Sequence, residues 1–278
     1  MTSQATRNPS TLIVQLSDTH IVANARLCLN EIDTSSFLRA AVETVRSLTV
    51  RPDAVLITGD LVNEGRVNQY EHLKVLLAPL VAAQIPLYLM PGNHDSREAM
   101  REVFPEHKEL GTDASCDFVA DIGALRLIGL DTLVDNEAGG DLSERQLAWL
   151  DQTLQKKPHR PTVIAMHHPP FATGIGHMDE QGLADEARAA MERIVAAHPQ
   201  VERVTCGHLH RNISRRWAGT IAATTPSVAH AVAFDLRSNA HGAWNYEPPA
   251  ITAHHWNGSH LVTHQVGSGD FPAKRYGI

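Results

Sequence analysis

Five short polar strings in this chain have the residue types to hold and activate a ligand: Asp18-x-His20, Gly59-Asp60, Gly92-Asn93-His94-Asp95, His167-His168 and Gly207-His208-x-His210. Imidazole is the commonest metal ligand and a frequent acid–base group. A carboxylate has two oxygens, so Asp60 could bridge two cations. Residues at i and i+2 of an extended chain point to the same side. On that basis Asp18 and His20 could grip one ion, and His208 and His210 could reach two neighbouring ions. Mixed imidazole, carboxylate and amide donors suit Zn, Mn, Fe or Co better than Ca or Mg, which favour all-oxygen shells. Glycines at 59, 92 and 207 permit tight turns and close approach of backbone to a ligand. Each string alone could be a turn or a cap. All five, each directly after an apolar run, are not accounted for by packing.

The elements that must position these strings are legible as apolar runs. Strands are expected at 11–16 (TLIVQL), 54–58 (AVLIT), 86–90 (PLYLM), 125–130, 162–166 (TVIAM) and 201–206 (VERVTC). Helical periodicity marks 35–48, 68–83 (weakened or kinked around Pro79), 143–154 and 186–197. The helix at 143–154 opens with Ser143 and carries Gln146 three residues later, the capping-box pattern. Near-continuous apolar strands alternating with helices predict an α/β sheet covered on both faces. In such sheets ligands bind beyond the carboxyl ends of the strands, which is where all five strings lie. After Gly219 the helical periodicity fades. The segments 251–256 and 260–266, separated by Asn257-Gly258-Ser259, read as a hairpin. The chain is read as one domain over 1–235, with 236–278 as a β-hairpin, cap or oligomerisation extension of that domain.

Composition narrows the function classes. The chain has 278 residues, 43% hydrophobic and 20% charged, an ordinary globular mixture. Its net charge of −7 and lack of a dense Lys/Arg run argue against a long nucleic acid as partner. The longest apolar stretch, 76–90, is cut by Pro79, Gln84 and Pro86 and is too short for a membrane span. The start, MTSQATRNPS, has no apolar segment and does not read as a secretory signal. Cys28, Cys116 and Cys206 are odd in number, widely spaced and without a CxxC, which suggests reduced thiols and a cytoplasmic location. Cys206 reads as a packed thiol. The 17 histidines outnumber the aromatic residues. His254, His255, His260 and His264 fall on the expected hairpin and read as solvated or interfacial.

The strings LSDTH, ITGDLVNEG, YLMPGNHD, HHPP with GIGHMD, and CGHLH, in this order, resemble the calcineurin-like metallophosphoesterases over about residues 11–235. Within that family the chain looks most like the bacterial class III cyclic-nucleotide phosphodiesterases and glycerophosphodiesterases. The resemblance implies a four-layer β-sandwich flanked by helices with a β-rich C-terminal extension. It implies two divalent or trivalent transition-metal ions (Fe, Mn, Zn or Co). One would be held by Asp18, His20, Asp60 and His210, the other by Asp60, Asn93, His167 and His208. His94 would face the substrate phosphate and Asp95 would orient its ring. His168 would stand behind the ligands. His230, His177 and Asp179 are candidate substrate contacts, and the segments 22–33 and 172–182 candidate pocket rims. The activity implied is hydrolysis of small phosphodiesters, cyclic nucleotides or glycerophosphodiesters, by attack of a metal-held hydroxide on phosphorus. The alternatives are a phosphomonoesterase on nucleotides or phosphoproteins, or a non-catalytic metal-binding scaffold. A homo-oligomer is expected.

Overall fold

Alternation along the strands decides the layering. The computed structural model describes residues 10–23, 26–272 and 274–276. The N-terminal segment read for a secretory signal (residues 1–9), and positions 24–25 of the 22–33 rim, lie outside the described residues. Five strands form one sheet in the order β13-β12-β1-β2-β3: β1 (Thr11–Leu16), β2 (Ala54–Thr58), β3 (Leu87–Met90), β12 (Ala250–Trp256) and β13 (Leu261–Gly267). Six form a second, ordered β4-β5-β6-β7-β9-β8: β4 (Phe118–Ile122), β5 (Leu125–Leu130), β6 (Thr162–Met166), β7 (Val201–Cys206), β8 (Ser214–Trp217) and β9 (Thr220–Thr224). Ile13, Leu56 and Met90 of the first sheet meet Leu127, Val163 and Ala165 of the second in one inter-sheet core. The alternate residues Val14, Val55 and Leu89 face outward under α1 (Thr34–Ser47), α2 (Val67–Ala82) and α3 (Arg97–Val103). Ile128, Ile164 and Val204 do the same under α4 (Glu144–Gln155) and α6 (Asp185–Ala196). With the short helix α5 (Gly176–Asp179) and a two-stranded ribbon of β10 (Ala231–Val232) and β11 (Trp244–Asn245) in the connections, the result is a helix–sheet–sheet–helix sandwich. Each sheet is covered on both faces, by helices on one side and by the other sheet on the inner side.

The helix ends follow local chemistry. Ser143 accepts from the Gln146 amide and Gln146 reaches back to the Ser143 amide, the box expected from sequence. Asp33 caps α1 by accepting from Ser36 N. Pro79 lies inside α2, which continues to Ala82. α3 and β4, neither expected from periodicity, are seven and five residues long. Such short elements leave little pattern to read.

The tail pair is the expected hairpin, and β12 also pairs antiparallel with β1, from Thr11↔Trp256 to Gln15↔Thr252. One histidine there departs from the expectation. His254 is buried, not solvated: it donates from Nε2 to Gln15 Oε1 (3.0 Å), and Nδ1 meets Thr263 Oγ1 (3.0 Å). The cause is register, which turns His254 inward beside Gln15. Burial pushes its pKa down to about 3, against 6.5 for a free imidazole. Between those values the unfolded chain takes up a proton that the folded chain refuses. This histidine therefore costs no stability above pH 6.5. Below it, stability is lost at about 1.4 kcal/mol per pH unit. Urea unfolding between pH 6 and 4 should show a shallower pH slope in His254→Leu than in wild type, by close to one proton. Equal slopes would contradict this account.

Candidate dinuclear metal centre

All five polar strings meet on one rim, where the ends of β1, β2 and β3 approach those of β6 and β7. The backbone that brings them there is not the extended chain assumed from the i, i+2 spacing. Asp18 (φ 53°), His20 (φ 43°), Asp60 (φ 48°), His208 (φ 70°) and His210 (φ 51°) all occupy the left-handed region. Non-glycine residues seldom sit there, and a cluster of them marks a site whose surroundings hold it under strain. The tight turns explain the same-side placement that extended geometry would otherwise have supplied. A Cβ on Gly92 would collide with the amide and carboxylate of Asp60, and one on Gly207 would overlap the Ser17 hydroxyl. These glycines let the loops close on one another.

Two groups of ligand atoms form. Asp18, His20, Asp60 and His210, all buried, bring one donor atom each within 4.8 Å of one another. His20 Nε2 lies 3.2 Å from His210 Nε2 and 3.4 Å from Asp60 Oδ2, and His210 Nε2 is 3.5 Å from Asp18 Oδ1. On the other side of Asp60, Asn93 Oδ1 stands 3.1 Å from His167 Nε2 and 3.2 Å from His208 Nδ1. His167 Nε2 is 3.5 Å from Asp60 Oδ1. Asp60 thus offers one oxygen to each group.

The protonation pattern shows what these atoms are suited to. His20 Nδ1 donates to Asn63 Oδ1 (3.2 Å), His210 Nδ1 to His230 O (3.0 Å) and His167 Nδ1 to Thr58 O (2.8 Å). A neutral imidazole has one N–H, so Nε2 of His20 and of His210 presents a bare lone pair, and a neutral His167, as a cation beside it would require, does the same. Lone pairs then point at one another, Nε2 against Nε2, between His20 and His210. Such convergence of acceptors repels unless a cation lies among them. Asp18 Oδ2 and His208 Nε2 are also buried without a hydrogen-bond partner. Burial lowers His20 and His208 to about 3 each, which keeps them neutral and able to ligate. Burial also raises Asp18, to about 7. Burial opposes charge on His167, yet the adjacent Asp60 carboxylate raises it to about 9: the positive charge the cluster lacks is drawn in as a proton. The donor set fits a pair of transition-metal cations.

The surrounding candidates separate clearly. His94 donates from Nδ1 to Asn63 O (2.8 Å), and its ring lies 4.8 Å from that of His20. Asp95 does not orient it. Its buried carboxylate accepts from Leu61 N (3.0 Å), Val62 N (3.2 Å), Gly92 N (2.9 Å) and Tyr70 Oη (2.7 Å). Three backbone amides of two ligand loops need an acceptor there, and Asp95 supplies it. Asn63, which sequence reasoning passed over, holds His94 with its backbone oxygen and His20 with its side-chain oxygen. Its only signal was its place three residues after Asp60. His168 has no lone pair to spare, since Nε2 donates to Ala138 O (3.1 Å) and Nδ1 accepts from Thr132 Oγ1 (2.8 Å). Asp179 is turned into its own loop, accepting from Thr173 N (2.7 Å) and Gly174 N (2.8 Å). His177 lies beside Gly242 with Nδ1 buried. His230 does reach the centre: its ring is 4.6 Å from His210 and 6.0 Å from Trp244.

The family profile of calcineurin-like phosphoesterases matches residues 11–212. A probable glycerophosphodiester phosphodiesterase of Arcobacter nitrofigilis is 34% identical over 261 residues, covering 94% of each chain. A probable cyclic nucleotide phosphodiesterase of Rhodopseudomonas palustris is 37% identical over 262 residues, covering 91% of this chain and 90% of the relative. Among solved structures, a dimetal phosphatase from Danio rerio aligns with a TM-score of 0.62 at 18% identity, over 91% of this chain and 98% of that one, a likeness of fold.

Proposed function

The chain belongs to the calcineurin-like phosphoesterase family, and on that premise we propose that it is a dinuclear-metal phosphodiesterase acting on small phosphodiesters. The observation that carries this reading is the buried group Asp18, His20, Asp60 and His210 next to a second group around His167 and His208, with Asp60 within 3.5 Å of both sides and His94 beside them. Asp18, His20, Asp60 and His210 would hold one cation, and Asp60, Asn93, His167 and His208 the other. Bound there, two such cations supply Lewis acidity and lower the pKa of a coordinated water from 15.7 to roughly 7. The mixture of nitrogen and oxygen donors favours Mn, Fe, Co or Zn.

The chain's own groups do the rest. Asp18 and Asp60 neutralise only half the charge of two dications and Asn93 adds a donor without charge, so the centre stays attractive to an anion. His94 is tethered at Nδ1, which leaves Nε2 as its working atom. Protonated, it donates to a phosphate oxygen, and it hands that proton to the departing alkoxide. A cavity of about 730 Å³ adjoins His94, with Asn63, Glu64, Arg97, Glu98, Arg101 and Asp135 among its walls. Both arginines are engaged: Arg97 with Asp131 and Asp135, Arg101 with Leu110 O and Asp113 O. Glu64, Glu98 and Asp135 outnumber the two arginines along these walls, so the lining has no net positive charge to meet the second charge of a monoester. The walls accommodate the leaving group of a singly charged diester. Relatives named as phosphodiesterases support the same preference. Three unpaired, buried cysteines support a reducing compartment such as the cytoplasm. Among the described residues no helix is long and apolar enough to cross a membrane.

The test compares kcat/KM on bis(p-nitrophenyl) phosphate and p-nitrophenyl phosphate. One unneutralised charge worth about 1.4 kcal/mol gives tenfold, so the diester should lead by roughly that factor or more. A preference for the monoester would overturn the proposal. A panel of 3′,5′-cAMP, 2′,3′-cAMP and glycerophosphoethanolamine then separates cyclic from glycerol diesters.

A further inference from the structure

On the flank of the sandwich where β12 and β13 face β7, β8 and β9, the inter-sheet filling turns polar around a cavity of about 250 Å³. The inner part of this region is fully paired. Gln15 donates from Nε2 to Thr58 Oγ1 (2.8 Å) and accepts at Oε1 from Thr205 Oγ1 (2.6 Å) and His254 Nε2 (3.0 Å). Arg203 is the exception. Among the described residues its guanidinium makes no hydrogen bond or ion pair, and its Nε is buried without a partner. Glu202, next to it in the chain, forms no ion pair with it.

The position of Arg203 is built by a bulge. β7 pairs with β6 as Thr162↔Val201 and then Val163↔Arg203, which skips Glu202. In an unbroken strand Val201, Arg203 and Thr205 would share a face. The extra residue flips the parity: Val201 packs in the helix-side core, while Arg203 turns inward with Val163 and Thr205. Bulges commonly re-aim a side chain in this way. Glu202 acts on Arg203 only through space, and a half-buried guanidinium with no hydrogen-bond partner is costly, so its natural complement is an anion that can accept from it.

We propose that this chamber binds a small inorganic oxyanion of the phosphate or sulfate type, anchored by the Arg203 guanidinium. The planar fork matches two oxygens of such an ion. Ser214 and Gln265 line the same chamber with further donors, and no carboxylate lines it. The chamber is below the roughly 300 Å³ at which pockets for drug-sized ligands begin, so a free ion suits it better than a substituted phosphate. The site is separate from the metal centre and does not depend on the proposed activity.

The test removes the metal centre first, because that centre would itself attract phosphate. Inorganic phosphate and sulfate are titrated calorimetrically into Asp60→Ala, with folding checked by circular dichroism and His210→Ala as the substitute background. The same titrations follow in that background carrying Arg203→Met or Arg203→Lys. Binding of at least one ion is expected in the background variant. It should weaken about tenfold in Arg203→Lys, which loses the fork but keeps the charge, and vanish in Arg203→Met. In anion-free buffer Arg203→Met should melt no lower than its parent, and only the parent should gain Tm on adding the ion. No binding in either background, or binding that Arg203→Met leaves intact, overturns the proposal.

Discussion

Replacing Asp60 by alanine is expected to abolish tight binding of both cations and to lower kcat/KM by more than about a thousandfold. The carboxylate gives Oδ2 to the His20 side and Oδ1 to the His167 side, 3.4 and 3.5 Å away. Its loss takes one ligand from each position at once. It also removes one of the two negative charges that make the site hospitable to cations. Losing a single charge-stabilising donor in an active site costs about 10²–10³ in rate, and here the whole electrophilic centre goes. Asp60 has a structural task as well, since its Oδ1 accepts from His94 N at 2.9 Å. Asp60→Asn should restore that bond and keep the fold while still losing most of the metal, which separates the two roles. Metal content by plasma mass spectrometry and initial rates on a diester check this. A variant that retains two tightly held ions and full rate would remove Asp60 from the shared position.

The second large effect is expected at His94. Its ring is tethered through Nδ1 to Asn63 O and offers Nε2 to the cavity, but it contributes nothing to either ligand cluster. His94→Ala should therefore keep two ions per chain and lose about 10²–10⁴ in kcat, the usual contribution of a positioned proton donor. KM should change far less. The deficit should also depend on the leaving group. A nitrophenolate departs without help, so the variant should approach wild type more closely on an activated aryl diester than on an alkyl one. An equal deficit on both would mean that His94 acts on the phosphate oxygens and not on the leaving group.

Much of this architecture is visible in the residues themselves. Runs such as AVLIT and TVIAM, buried at every position, gave strands with the expected boundaries, and each delivered its polar string to the rim. The gathering of Asp18, Asp60, Asn93 and His208 is likewise foreshadowed by their places after those runs. What could not be read depends on tertiary geometry. The i, i+2 argument reached the right pairing of Asp18 with His20 by the wrong backbone, because left-handed turns at non-glycine residues leave no mark in a sequence. Asp95 resembled an orienting partner for His94 by adjacency. Its true role depends on amides of Leu61 and Val62, more than thirty residues away. Asn63 holds two histidines, one through its backbone oxygen, a contact that no side-chain pattern reveals. His254 looked solvated because hairpin histidines often are. Only the pairing of β12 with β1 places it against Gln15.

The central claim, that residues spread from Asp18 to His210 form a cage for two cations around Asp60, is tested most directly by anomalous diffraction from crystals of the active protein grown with manganese. Two anomalous peaks are predicted. One should lie among Asp18, His20, Asp60 and His210, and the other among Asp60, Asn93, His167 and His208. A fully active crystal with no peak at this rim, or with metal bound only elsewhere, would contradict it.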